Sequence, residues 1–276
     1  MNINQVSFTN WNAGGVNSIS ATIFTRTAAN YKYKHMFWNS SLNARYGINK
    51  QENIGLRKTD DLFEIISNFG YQQDTLSNWY ASARFSFSTQ FSNGYNYPDT
   101  STPISQLMAP GYLFFGLGVE YGKRIDKMSI YASPLTLKTT FVLDKELANQ
   151  GAFGVEPAVF DDQGNVIRSG KKIRRELGIL LANSYMFEPF ENVKVRTVTS
   201  LYTDYINNFG NIDIDWEVVF DFKVNEYIRA TFGSHIRYDD DIKRTVVLDA
   251  ENDITEERGA KVQWRQLLGI GVAIDF

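Results

Sequence analysis

Apolar and polar residues alternate with a period of two along most of the chain, and helical spacing is scarce. In one segment Trp79, Ala81, Ala83, Phe85, Phe87, Thr89 and Phe91 share a face, opposite Tyr80, Ser82, Arg84, Ser86, Ser88, Gln90 and Ser92. In another, Ile212, Ile214, Trp216, Val218, Phe220, Phe222 and Val224 alternate with Asp213, Asp215, Glu217, Val219, Asp221 and Lys223. The last alternating stretch sets Val262, Trp264, Gln266, Leu268, Ile270, Val272, Ile274 and Phe276 against a second face containing Arg265. These runs exceed the roughly 5–6 residues usual for a soluble strand. They suit a tilted strand crossing a bilayer, which needs about 9–11 residues inside the hydrocarbon.

The pattern predicts strands over 4–11, 16–31, 35–47, 57–71, 78–92, 110–122, 127–143, 172–187, 192–205, 211–224, 227–240 and 260–276. Short turns at Lys32–Lys34, Gln72–Ser77, Lys123–Asp126, Glu188–Glu191 and Asn225–Glu226 alternate with longer connections. The longer ones are Ile48–Leu56, Asn93–Ala109, Asp144–Lys171, Ile206–Gly210 and Asp241–Gly259. Outer-membrane barrels have short periplasmic turns and longer extracellular loops. The predicted fold is therefore all-β: one transmembrane, antiparallel up-and-down β-barrel of about twelve strands spanning 1–276. Segment 4–11 is the shortest strand, so ten strands with an ordered N-terminal segment is the alternative.

Composition sharpens this reading. Aromatic residues make up 14% of the chain, with 20 Phe and 15 Tyr, yet mean hydropathy is −0.30. One greasy and one wet face per strand reconciles the two values. A net charge of −3 gives no electrostatic reason to expect nucleic acid. No run approaches the roughly 18 apolar residues of a spanning helix. The absence of cysteine excludes disulfides and thiolate metal sites. The opening MNINQVSFTN has neither a basic start nor an apolar run. Export then implies a mature form whose leader has been removed.

Several motifs together resemble a known family. They are Asn10-Trp11 with Gly14-Gly15-Val16-Asn17-Ser18, Arg57-Lys58-Thr59-Asp60-Asp61, and Gly94-Tyr95-Asn96-Tyr97-Pro98. Ser133-Pro134-Leu135-Thr136, Gly151-Ala152-Phe153-Gly154-Val155, Asp213-Ile214-Asp215-Trp216-Glu217 and Tyr238-Asp239-Asp240-Asp241 continue the series. Over roughly 5–245 the chain is similar to a Bacteroidota outer-membrane β-barrel family of unknown function. Leu137 stands where that pattern leads us to expect glycine. The resemblance implies a barrel in the bacterial outer membrane and carries no catalytic residues.

Candidate chemistry lies mainly in the inward faces. Arg45, Glu64, Arg84, Glu120, Lys194, Arg196, Asp213, Asp215, Glu217, Arg229, Arg237 and Arg265 are predicted to form a lumen charge network. Buried charges must be paired or hydrated. Abundant residues of both signs therefore point to salt bridges across an occluded lumen, with the acidic ladder Asp213, Asp215, Glu217 pairing with Lys194 and Arg196. A cation or sugar site at that ladder is the alternative. Tyr95, Asn96, Tyr97 and Phe153 are predicted extracellular contacts, and Asp161–Asn165 reads as a β-turn. Phe276, closing an alternating strand, resembles the C-terminal signal read by outer-membrane assembly machinery.

The run Gly116-Leu117-Gly118-Val119-Glu120-Tyr121-Gly122 has the wrong spacing for a dinucleotide loop. Its glycines read instead as small inward-facing residues. His35 sits beside a short turn and His235 on the lumen face, so neither suits a lipid-facing Ser–His pair or a metal site. The expected role is a non-enzymatic structural or interaction component of the cell envelope, without cofactor. Its partners would be outer-membrane lipid, the barrel-assembly machinery and other envelope proteins. A small-solute channel is the alternative, and a lipid-modifying enzyme comes last.

Overall fold

A computed structural model describes residues 2–6, 17–52, 54–122, 127–206, 209–239, 244–246, 256–258, 260 and 262–272. Its first five strands are β1 (Asn2–Val6), β2 (Ser18–Tyr33), β3 (Met36–Gln51), β4 (Ile54–Tyr71) and β5 (Trp79–Thr89). A small hairpin of β6 (Gly94–Tyr95) and β7 (Pro103–Ser105) precedes β8 (Gly111–Tyr121) and β9 (Met128–Phe141). After the short helix α1 (Lys145–Asn149) comes the hairpin of β10 (Val159–Phe160) and β11 (Val166–Arg168). The chain continues with β12 (Ile173–Phe190), β13 (Val193–Asp204), β14 (Asp213–Lys223) and β15 (Ile228–Tyr238). The two strands of a third hairpin, β16 (Arg244–Val246) and β17 (Glu256–Arg258), are followed by β18 (Gln263–Val272).

The fold is all-β and antiparallel. Its main sheet has the order β1-β2-β3-β4-β5-β8-β9-β12-β13-β14-β15-β18, so each strand pairs with its predecessor in the sheet and the small hairpins stay outside it. The sheet is strongly rolled. Arg265 on β18 meets Asp60 on β4 at 3.0 Å, although these strands are eight ladders apart in the order. At about 4.8 Å per ladder a flat sheet would hold them roughly 38 Å apart. Arg45 on β3 likewise reaches Glu217 on β14, and the Phe114 ring on β8 lies 5.9 Å from Tyr202 on β13. The ends of the order, β1 and β18, approach one another.

The strands coincide with the alternating segments, and the differences lie in the connections. Within the stretch Ile48–Leu56, expected as a long loop, residues 48–51 and 54–56 are strand: Ile48 pairs with Lys58, Asn49 with Arg57 and Gln51 with Ile54. Its polar composition looked like loop, but a ladder needs backbone groups and not apolar side chains, so pairing runs on past the greasy zone. The connections expected at Asn93–Ala109 and Asp144–Lys171 contain the β6–β7 hairpin, α1 and the β10–β11 hairpin. The Asp144 side chain caps α1 by accepting from Leu147 N–H at 2.9 Å. Of segment 4–11, residues 7–11 lie outside the described residues, as does Phe276.

Alternation also slips once inside a strand. On β9, Ser129, Tyr131 and Ser133 are buried, then Thr136, Lys138 and Thr140. The inward parity changes at Pro134–Leu135, where the registers with both neighbours shift by one residue. A β-bulge of this kind re-aims every side chain beyond it. Gly118 sits against the same bulge, where a Cβ would stand 2.1 Å from the Ala132 carbonyl oxygen.

Candidate functional site

The rolled sheet gathers polar side chains on its inner face in three groups. The first surrounds Lys138, brought inward by the bulge and only 3% exposed. Its ammonium lies 2.7 Å from Asp213 on β14, 3.5 Å from Asp239 just beyond β15 and 3.7 Å from Glu176 on β12. Arg174 extends the group, with Nε 3.4 Å from Glu176 and Nη1 donating to the Gly154 carbonyl of the long connection. Lys138 therefore ties together elements far apart in the strand order, near the long-connection end.

The second group crosses the interior. Arg45 and Arg265 both contact Asp60, at 3.4 and 3.0 Å. Arg196 and Arg45 converge on Glu217, at 3.1 and 4.0 Å. Asp215 is shared by His235 Nε2 at 2.9 Å and Arg237 Nε at 3.1 Å. The third group lies toward the short-turn end, where Glu120 accepts from Arg84 at 3.2 Å and from the Asn68 amide at 2.7 Å. The Arg84 guanidinium also stacks 4.3 Å from the Tyr131 ring centre. Gly116 makes room for this group: a Cβ there would meet the Tyr131 hydroxyl and Thr136 Oγ1 at 2.8 Å.

Of the side chains expected in a charge network, Arg45, Arg84, Glu120, Arg196, Asp213, Asp215, Glu217, Arg237 and Arg265 take part in these groups. Glu64 lies apart from them and accepts from the Asn43 amide at 2.8 Å. Arg229 lies in register opposite Lys223 and Gly271. Lys194 is a correction: it is exposed, 4.0 Å from Glu188 near a short turn, and not paired with the acidic ladder. It stands at a strand end, where water solvates an ammonium better than a cross-strand carboxylate does. Asp213 takes Lys138 instead. Sequence reasoning missed Lys138 because strict alternation from Ser129 places it on the outer face; the Pro134 within a strand was the available signal.

The expected loop residues are built into the connections. The Tyr97 hydroxyl accepts from the Lys58 N–H at 3.1 Å, and its ring lies 5.1 Å from the Arg57 guanidinium. Tyr95 is half-buried beside it, and Asn96 is exposed. Phe153 packs against a small apolar cluster of Ala109, Val142, Leu147, Ala148 and Val155. The predicted Asp161–Asn165 turn joins β10 to β11, with the Asp161 carboxylate accepting from the N–H groups of Gln163 and Asn165. The Asn165 side-chain amide, and then its backbone N–H, hold the Asp161 carboxyl below the usual carboxylate range. Lys171, followed by Arg168, does the same for Glu156.

The outer surface inverts the usual pattern. Trp38, Trp79, Leu117, Leu135 and Trp264 are between 47% and 67% exposed, whereas Glu120 and Glu176 are 1% and 3% exposed. Among the described residues no group of His, Asp and Glu is arranged to hold a metal ion, and no helix is long and apolar enough to cross a membrane.

Residues 3–95 match a family described as proteins of unknown function (DUF3078). No curated protein matches the chain. The chain also aligns with a solved structure described as the NanC porin in a rhombohedral crystal form. That alignment has a TM-score of 0.37 and 9% identity, covering 94% of this chain and 100% of that one.

Proposed function

We propose that the rolled sheet is a closed, twelve-stranded transmembrane β-barrel, sealed between β1 and β18 and seated in a bacterial outer membrane. One observation carries the reading: charged side chains fill the inside of the sheet while large apolar side chains cover its outside. In water this arrangement would leave apolar surface far beyond the few hundred square ångströms usual on a soluble monomer. In a bilayer the apolar belt faces acyl chains, and closure leaves no strand edge unpaired in hydrocarbon.

The specific role we assign is structural: an interaction component of a cell-envelope assembly with a largely occluded interior. Ion pairs across the interior, at Arg265–Asp60 and Lys138–Asp213, fill the space a wide pore would need. The long connections, braced by α1 and by Phe153, offer a preformed surface to other envelope proteins. Membrane lipid and the barrel-assembly machinery are the remaining partners in this reading, which assigns the chain no reaction and no cofactor. A second reading, a narrow solute path, draws support from buried polar atoms that have no hydrogen-bond partner among the described residues: Gln72 Oε1, Asn68 Oδ1, Ser82 Oγ, Arg84 Nε and Gln90 Nε2. Buried polar groups of this kind are usually satisfied by water.

Reconstitution tests both. Lipids brominated along the acyl chain should quench the fluorescence of outward Trp38, Trp79 and Trp216, and planar bilayers holding the full chain should show no stepwise conductance. A folded monomer in plain buffer without detergent would remove the membrane assignment. Reproducible conductance steps would replace the occluded interior with the solute path.

A further inference from the structure

We propose that the outer face of β5, β8 and β9, beside their short turns, holds one acyl chain of a glycerophospholipid in a built groove. The inference rests on the barrel reading, which sets this face in hydrocarbon. The groove has a volume of about 200 Å³ and is lined by Trp79, Val119, Tyr121, Ile130 and Ala132.

Ladder registers show how the sequence carves it. Trp79 stands opposite Tyr121, and Tyr121 opposite Ile130, so a row of large side chains crosses the three strands. In the next row Ala81 faces Val119 and Val119 faces Ala132, which makes a furrow of smaller side chains. Beyond it the surface rises again at Leu117. The β9 bulge completes that far wall by setting Leu135 outward, in register with Leu117.

Two observations name the occupant. The first is polar. Bilayer hydrocarbon holds no water to accept from an indole N–H, so a buried donor there needs a protein partner. Trp38, Trp216 and Trp264 find one across the ladder, donating to Ser67 at 2.8 Å, Thr197 at 3.0 Å and Ser234 at 3.0 Å. Trp79 does not. Its indole N–H and the Tyr121 hydroxyl have no hydrogen-bond partner among the described residues, and their rings lie 5.0 Å apart. Rings with one apolar and one polar end collect at the headgroup level. A glycerophospholipid offers ester and phosphate acceptors at that level, directly continuous with an acyl chain. The second observation is size. A single turn of helix fills roughly 400 Å³ at the usual diameter and pitch, so a helical partner segment does not fit this groove, whereas a thin hydrocarbon chain does.

The test is native mass spectrometry of the full chain in mild detergent, titrated with dioleoyl phosphatidylethanolamine. The wild type should retain one lipid per chain at saturation. Ala132→Leu fills the furrow and should hold the lipid about tenfold more weakly, which corresponds to about 1.4 kcal/mol. Trp79→Phe keeps a ring but removes the donor, and should weaken retention about threefold or more. Trp216→Phe, whose indole already has Thr197, should match the wild type. Should Ala132→Leu fail to fold, the two tryptophan variants decide between them. Equal retention in all folded variants, or none by a chain that is folded and detergent-dependent, overturns the groove. Lipid-free dimers broken by Ala132→Leu would give this face to a second copy and overturn it too. Folding without detergent overturns the barrel itself.

Discussion

Leu117 and Glu120 stand three positions apart on β8 and meet opposite surroundings, Leu117 47% exposed and Glu120 1%. The strand puts successive side chains on opposite faces, and the solvent on each face selects the residue type. Leu117 lies near the middle of its strand, so Leu117→Arg should destabilise the membrane-inserted chain by about 2–4 kcal/mol in urea titrations from lipid vesicles. On a water-facing surface the same change costs within about 0.5 kcal/mol, and a result in that range would contradict the lipid-facing assignment. Asp161 makes a different residue-scale prediction. Its carboxyl is depressed below its ordinary value of 3.8 in the folded turn. The stabilisation is therefore complete above that value and disappears as pH falls through the lower, folded one. Amide exchange at Gln163 and Asn165 should accelerate selectively below about pH 4. In Asp161→Asn that acid-dependent step should vanish, and an unchanged step would assign it to another group.

At the scale of elements, the β9 bulge has the widest consequences. One extra residue at Pro134–Leu135 turns Thr136, Lys138 and Thr140 inward and fixes Gly118 against the Ala132 carbonyl. Gly118→Ala has no room without a backbone shift, so it should cost about 1–3 kcal/mol, as overpacking does. Thermal unfolding in detergent would measure it, with Gly55→Ala as the comparison, since a Cβ there meets nothing. Equal effects at the two glycines would mean that the bulge does not constrain β8. The β3–β4 connection shows the converse effect: polar residues from Asn49 to Gln51 stay in strand because the ladder holds them.

For the whole molecule, Lys138 is a charge that joins distant elements, tying β9 to Glu176, Asp213 and Asp239. Lys138→Met keeps the volume but leaves three carboxylates facing one another around an apolar tip. Removing one partner of a buried ionic group costs about 3–5 kcal/mol, and a matching loss of unfolding free energy is expected. Removing the tether should also loosen the end of β15 where the long connection begins, visible as faster amide exchange at Tyr238. Unchanged stability would show that the carboxylates are solvated and that this end is not closed.

Period-two alternation and connection lengths determined the element type, the antiparallel order and the approximate strand spans, because side-chain direction in a strand is a local property. The same locality made most inward charges legible, among them Arg84, Glu120, Arg196 and Glu217. It also made Lys138 invisible, since a bulge changes parity without leaving a periodic trace. Which charges meet was decided only by the rolled sheet: Arg265 reaches Asp60, and Asp213 takes Lys138 in place of Lys194. Such partners lie far apart in sequence and on strands that do not pair, so their meeting depends on how the sheet curves, a quantity no single segment encodes.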